Sequence, residues 1–403
     1  MFFDVQIFDE LQPLLSEEWL ALFGRQPDSP ELIHLAGVAG LSGFTFKNIV
    51  VRCDGMPVLS LPIFCGEYPV ALTLDSPAKT IATVGARWFP QLLRPKFVAI
   101  GFLEGEWGQV GVNANASKDT IDTAWALAAS AFEKLACDLK VAATALWNFT
   151  EATLTNVPNA FLKGYSQVQS QPYCALTVRY ASLEGYLHSL PKNMRRYLQR
   201  VLKKSDAISI EHATTAGVYI DRMYELYLEQ VARSDMSFGV QSKDYFAEVC
   251  THVPGAEFVL FKLHGELVAF ELVVEQPHLL VSKYFAMDAE VGAEYWLYFL
   301  SWLHQIEYCI QRKIPAVHLG TAAEGIKSKL GCQLTSSYVF FRHRNPICNA
   351  ILNRYKNQLA YQPDSLPERE ERNGEVAVKS VAVRDREPRQ SAARRKPIRR
   401  GRV

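Results

Sequence analysis

Residues 257–288, EFVLFKLHGELVAFELVVEQPHLLVSKYFAMD, hold three runs rich in β-branched and aromatic side chains. Two short turns part them, His264-Gly265 and Gln276-Pro277. Gly after His at a two-residue turn suits a hairpin that needs positive φ, and strands joined this tightly form an antiparallel meander. The surrounding chain extends the pattern. Downstream, 293–312 carries Trp296, Leu300, Leu303, Ile306 and Ile310 at the spacing of one helical face. A strand is expected over 316–321, a short helix over 324–330 and a last strand at LTSSYVFFRHR, 334–344. Upstream, helices are expected within 182–205 and 218–233. The order is helix, helix, three antiparallel strands, helix, strand, helix, strand.

The first half repeats part of this order. VVRCDGMPVLSLPI (50–63) and LFKLHGELVAFELV (260–273) share a β-rich run, a two-residue turn ending in Gly, and a second run with Val in the same place. Each hairpin is followed by a long helix and a strand: 120–139 and VAATALWNF in the first half, 293–312 and AVHLGTAA in the second. Matching the order of three elements implies two copies of one α/β unit. From Pro363 onward large apolar side chains become scarce while charge, Pro, Ser and Gly dominate. Such a segment buries too little surface to offset its ordering entropy. The expected division is therefore 1–168, 169–358 and a disordered, basic-ended tail over 359–403.

Composition limits the function. Of the 403 residues 49% are hydrophobic and 21% charged, and the net charge is +1, which argues against nucleic-acid binding by the chain as a whole. No run is apolar enough for a membrane-spanning helix. The start, MFFDVQIFDELQPLL, has acids within its apolar part and no basic n-region, so it does not read as a signal peptide. The eight cysteines are scattered and never form C-x-x-C. Buried free thiols in a reducing cytoplasm are the expectation, with no metal site.

Three stretches carry a resemblance to a known family: YLHSLPKNMRRYLQRVLKK, the meander with its Gly turn, and VHLGTAAEGIKSKLG. Their succession, over about 170–345, resembles the GNAT acyltransferase superfamily. It is most similar to the tandem-GNAT branch that includes the CelD-type acetyltransferase-like and Fem-type aminoacyltransferase-like proteins. The implied fold is α/β: two tandem GNAT-like units with mixed, mainly antiparallel sheets flanked by helices. The chain departs from the family in two places. DAEVGAEYW keeps only Gly292 and Ala293 of the glycine-rich phosphate turn, and His318 stands where Asp is common. No sustained heptad suggests the helical arm of some Fem-type enzymes.

The resemblance implies N-acyl transfer from a thioester, acyl-CoA in the first instance, to a primary amine of a sugar, lipid or amino acid. Such enzymes are often tied to the cell envelope. On this reading the amides of Phe285, Ala286 and Met287 polarise the acyl carbonyl, and Gly292 and Ala293 meet the donor's diphosphate. Glu271 is a base or an amine ligand, with a solvent-facing strand residue as the alternative. His318 is a proton acceptor or a satisfied core histidine. Lys327 holds a phosphate or carbonyl oxygen, or is a surface lysine. Tyr284 and Trp296 line an acyl channel or belong to the core, and Asp288 acts in the site or caps the next helix. Arg195 and Arg196, on a helix whose other face is apolar, meet a substrate phosphate or simply solvate the surface. Aminoacyl-tRNA is the alternative donor, a non-catalytic binding protein the alternative class, and the basic tail a point of membrane contact.

Overall fold

The protein is described by a computed structural model covering residues 1–361, apart from 10, 12, 13, 15, 25–27, 74–77, 104, 234–238 and 322. All but the first three residues of the expected tail lie outside the described residues. The described residues form thirteen strands: β1 (Phe3–Phe8), β2 (Thr45–Cys53), β3 (Met56–Glu67), β4 (Lys96–Ile100), β5 (Gly111–Val112), β6 (Ala143–Thr150), β7 (Ser166–Thr177), β8 (Ile208–Ala213), β9 (Ala256–Leu263), β10 (Glu266–Gln276), β11 (Leu279–Met287), β12 (Ala316–His318) and β13 (Gln333–His343). The meander is β9, β10 and β11. Its first turn has φ of 52° at His264 and 88° at Gly265, and the matching β2–β3 turn has 47° at Asp54 and 84° at Gly55. Positive φ at both central residues matches the right-handed twist of the flanking strands.

All strands join one sheet, in the order β1-β2-β3-β4-β6-β13-β7-β12-β11-β10-β9-β8, with β5 against β3. Read from either end, the succession is the same: a meander, a parallel pair, then a closing strand. The parallel pairs are β4–β6 and β11–β12. The closing strands are exchanged between the units. β7 follows β6 in the chain yet pairs with β12, while β13 follows β12 and pairs with β6. β7 and β13 then pair with each other along most of their length. The boundary expected at residue 168 thus falls inside β7, because a local pattern identifies a strand and not its neighbour.

Two helix expectations are corrected. The 293–312 helix is two, Ala289–Tyr295 and Leu297–Arg312, broken at Trp296, which is left-handed at φ 53° and ψ 44°. Apolar periodicity runs through such a single-residue break and does not register it. The 182–205 helix is also two, Leu183–Ser189 and Lys192–Lys204, parted by an extended Leu190. The following Pro191 disfavours helical geometry at residue 190. Alternation along β10 sends Phe270, Leu272 and Val274 to one side, against helices Ile220–Arg233 and Lys243–His252. Ala269 and Val273 go to the other, against Leu297–Arg312.

Candidate functional site

β11 and β12 pair at only two positions, Leu280–Val317 and Val281–His318. Beyond these β11 keeps β10 alone as a strand neighbour, so Ser282–Met287 border a gap in the sheet. The register also slips here: Leu272 faces Tyr284 and Val273 faces Ser282, leaving Lys283 as the extra residue of a bulge. A bulge re-aims a side chain. The Lys283 ammonium lies 2.9 Å from Glu106 Oε1 and 3.8 Å from Asp28 Oδ1, and all three side chains are buried.

Glu106 and Asp28 come from the other half of the chain. Glu106 sits in GFLEGEWGQVG, 101–111, between β4 and β5. At Gly108 a Cβ would lie 1.7 Å from the Trp147 carbonyl oxygen, so only glycine lets this loop cross β6 so closely. The crossing brings Glu106 to His318. The imidazole Nδ1–H donates to Glu106 Oε2 at 2.5 Å, with the proton assigned to Nδ1 because the acceptor is a carboxylate. Trp107 stands edge-on to the same ring, centroids 5.2 Å apart. His318 Nε2 makes no hydrogen bond among the described residues, so the ring keeps a lone pair on the side away from Glu106.

The electrostatics suit that arrangement. Burial pushes the Glu106 carboxyl up, but Lys283 and His318 outweigh it and hold the group at about 2. Burial dominates at Asp28, which is pushed up to about 6 against the pull of Lys283. Asp28 Oδ2 accepts the Glu106 backbone N–H at 2.7 Å, whereas Oδ1 accepts no hydrogen bond. A buried acceptor left open in this way costs about 1–3 kcal/mol, which a ligand's donor would offset.

Glu271 is elsewhere. It is fully buried, not solvent-facing, and accepts from Ser282 Oγ (2.5 Å), Ser301 Oγ (3.0 Å) and Gln305 Nε2. It therefore faces helix Leu297–Arg312, away from the Glu106 loop. Burial pushes its carboxyl up to about 7, with the three hydrogen bonds opposing. Lys327 is buried as well, not a surface lysine. Its ammonium donates to the Leu319 carbonyl, next to His318, and burial lowers its pKa. Tyr284 packs among Tyr227, Tyr245 and Phe246, and Phe285 against Phe261 and Tyr298. Ala286 and Met287 are buried at the gap's edge.

The turn beyond β11 is occupied by the protein itself. Asp288 Oδ1 accepts the N–H groups of Glu290 and Val291 at 3.0 and 3.1 Å, and Oδ2 is 3.3 Å from Arg222. These are the amides that a diphosphate would need. Gly292 is required by packing, since a Cβ there would meet Met287 Sδ at 2.6 Å, and Ala293 is exposed. Trp296 packs against Tyr197 and lies beneath the Lys204 ammonium, 4.9 Å from the ring centroid. Arg196 is exposed and Arg195 half-buried, and neither forms a salt bridge among the described residues. Of the residues singled out in the sequence, His318 and the 285–287 edge share the gap; Glu271, Trp296 and the arginines do not join them.

Sequence reasoning missed Asp28, Glu106, Trp107 and Lys283. A signal existed for one pair: four glycines at 101, 105, 108 and 111 frame Glu106 and Trp107. The lysine's role depends on a bulge, which no residue pattern here announces.

Residues 189–328 match the family model for the acetyltransferase (GNAT) domain. The fold is similar to the crystal structure of FemX, with a TM-score of 0.52 at 12% identity over 84% of this chain and 98% of that one. It is equally similar to the structure of L-PGS from Bacillus licheniformis, with a TM-score of 0.53 at 11% identity over 89% of this chain and 100% of that one. At such identities the likeness is one of fold. No match is found among curated proteins.

Proposed function

We propose that this chain, whose residues 189–328 match the acetyltransferase (GNAT) domain model and whose fold is similar to those of FemX and L-PGS, is an acyltransferase that acylates a primary amine using His318 as the base. The observation that carries this reading is the Glu106–His318 pair, which spans the two halves beside the gap. Glu106 holds the imidazole in the tautomer whose Nε2 accepts a proton, and it stabilises the imidazolium that follows. The acceptor amine gives its proton to Nε2 as its nitrogen attacks the acyl carbonyl. The bond to the leaving sulfur or oxygen then breaks, and the proton passes to that atom. Backbone amides on the open edge of Phe285–Met287 are suited to polarise the carbonyl. Asp28 Oδ1, buried without a hydrogen-bond donor, suits an N–H of the neutral acceptor amine.

For the donor, a thioester such as acyl-CoA is the general GNAT chemistry. The Asp288 cap favours a second reading, an aminoacyl ester carried on tRNA, because a carboxylate already fills the diphosphate turn. FemX and L-PGS share the fold, which is compatible with either donor. A mass-spectrometric screen of acyl-CoA thioesters and charged tRNA against amine acceptors tests the proposal. Product formation that falls at least a hundredfold in His318→Ala supports it. Full activity in that variant overturns the role of His318, and absence of any transfer with both donor classes overturns the function.

A further inference from the structure

The described surface has one edge whose exposed side chains serve no site discussed above. Val84, in the last turn of helix Ala78–Gly85, and Trp88 and Phe89, between that helix and Pro90–Leu93, are 57%, 79% and 65% exposed. Their backbone is fixed, since the N–H groups of Trp88 and Phe89 both donate to the Gly85 carbonyl at 2.9 Å. On helix Pro346–Arg354 and the residue after it, Ile347, Ile351 and Tyr355 recur every four residues and are 71%, 40% and 55% exposed. That spacing is one helical face.

Sheet register brings the two groups together. The first leads into β4 and the second leaves β13. Phe97 of β4 pairs with Ala143 of β6, and Ala143 pairs on its other side with His343 of β13. The two connections therefore leave the same edge of the sheet, about 10 Å apart at two strand spacings. The backbone of the short turn Val70–Thr73 runs close to both Ala78–Gly85 and Lys356–Leu359.

Charge identifies the occupant. Residues 83–96 contain Arg87, Arg94 and Lys96 and no acid, and residues 344–358 contain Arg344, Arg354 and Lys356 and no acid. Arg94 is paired with Glu67 at 3.1 Å, while Arg87, Lys96, Arg354 and Lys356 form no salt bridge among the described residues. Scattered exposed apolar residues are ordinary, but six large ones on one edge, on segments whose charged residues are all cations, are not. Trp, Phe, Tyr and Ile set among arginine and lysine match the interfacial layer of a bilayer whose headgroups are anionic. No described helix is long and apolar enough to cross a membrane, so the contact would be peripheral. We propose that this edge, built from Trp88, Phe89, Ile347 and Ile351, docks the protein on an anionic lipid surface.

The test uses the full chain in sedimentation with vesicles of phosphatidylcholine alone, and of phosphatidylcholine and phosphatidylglycerol in equal parts. Binding should be at least about tenfold tighter to the anionic vesicles and should weaken with salt. Trp88→Ala/Phe89→Ala and, separately, Ile347→Glu/Ile351→Glu should each lose about tenfold in affinity with an unchanged circular dichroism spectrum. Unaltered binding in both variants would assign lipid contact to the basic end of the chain from Arg389 and overturn the proposal. So would equal affinity for both vesicle types. Self-association of the lipid-free protein that Trp88→Ala/Phe89→Ala abolishes would make the edge a protein interface and overturn it too.

Discussion

The two units share a plan but differ where their parallel strands meet. In the first, β4 and β6 pair over four residues, and the chain then runs through a glycine-rich loop to the unbroken helix Lys118–Asp138, capped by the neutral Ser117 hydroxyl. In the second, β11 and β12 pair over two residues, leaving a gap, and the helix after it is short, capped by the charged Asp288 and broken at Trp296. The closed unit sends its loop into the open one. The candidate site draws on both units: the first supplies Asp28 and Glu106, the second Lys283 and His318. Neither unit holds the set alone.

Breaking the cross-unit pair should have the largest effect. His318→Ala should reduce kcat/KM at least a hundredfold. Glu106→Gln should cost ten- to a hundredfold, and the double variant little more than His318→Ala alone, since the two act as a unit. A double-mutant cycle on kcat/KM checks this, and additive losses would show that the residues act separately.

The continuous sheet makes a second comparison. Phe132 in the first unit and Phe270 in the second are both fully buried. Truncating either to Ala should cost about 3–5 kcal/mol. Because β7 and β13 are exchanged, both variants should lower the midpoint of one shared transition in calorimetry. Two separated transitions, each moved by one variant, would mean that the units unfold independently.

Glu271 offers a pH test confined to the second unit. Its folded pKa of about 7 exceeds the ordinary 4.5, so the native state binds more protons than the unfolded one between these values. Its contribution is complete below about 4.5 and is lost as pH rises through 7. Glu106 has the opposite sign: held at about 2, it adds stability that is present above 4.5 and lost as pH falls toward 2. Denaturant unfolding of Glu271→Gln should therefore show a flatter profile than the parent between pH 4.5 and 7, by about 1–3 kcal/mol across that range.

The caps give the smallest effect. Asp288→Ser would copy the Ser117 cap of the first unit, with melting changed by under about 1 kcal/mol. If the donor is a CoA thioester, removing the carboxylate should lower its KM severalfold. An unchanged KM, together with a KM for charged tRNA that rises in Arg196→Ala, would favour the aminoacyl ester.

Much of the fold was legible from local pattern. Hairpin turns need positive φ, and Asp-Gly and His-Gly announce them; half-buried strands alternate, and helices repeat their apolar residues every three or four positions. These are properties of neighbouring residues. They placed the meander, both repeated hairpins and the 118–138 helix within a few positions, while the family resemblance drew notice to His318 and Lys327. The Trp296 break escaped them because one left-handed residue leaves apolar periodicity intact.

By itself, then, the sequence determined the meander and the strands and helices after it, a hairpin–helix–strand pattern repeated in the first half, and the family chemistry to expect. Only the tertiary structure decided which strands are neighbours, and with them the site. Pairing β13 with β6 joins residues far apart in the chain, and the Glu106–His318 hydrogen bond spans 212 positions. Such contacts are selected by burial and register over the whole sheet. No short stretch of chain carries that information, which is why Glu106, Lys283 and Asp28 emerged only once the sheet was assembled.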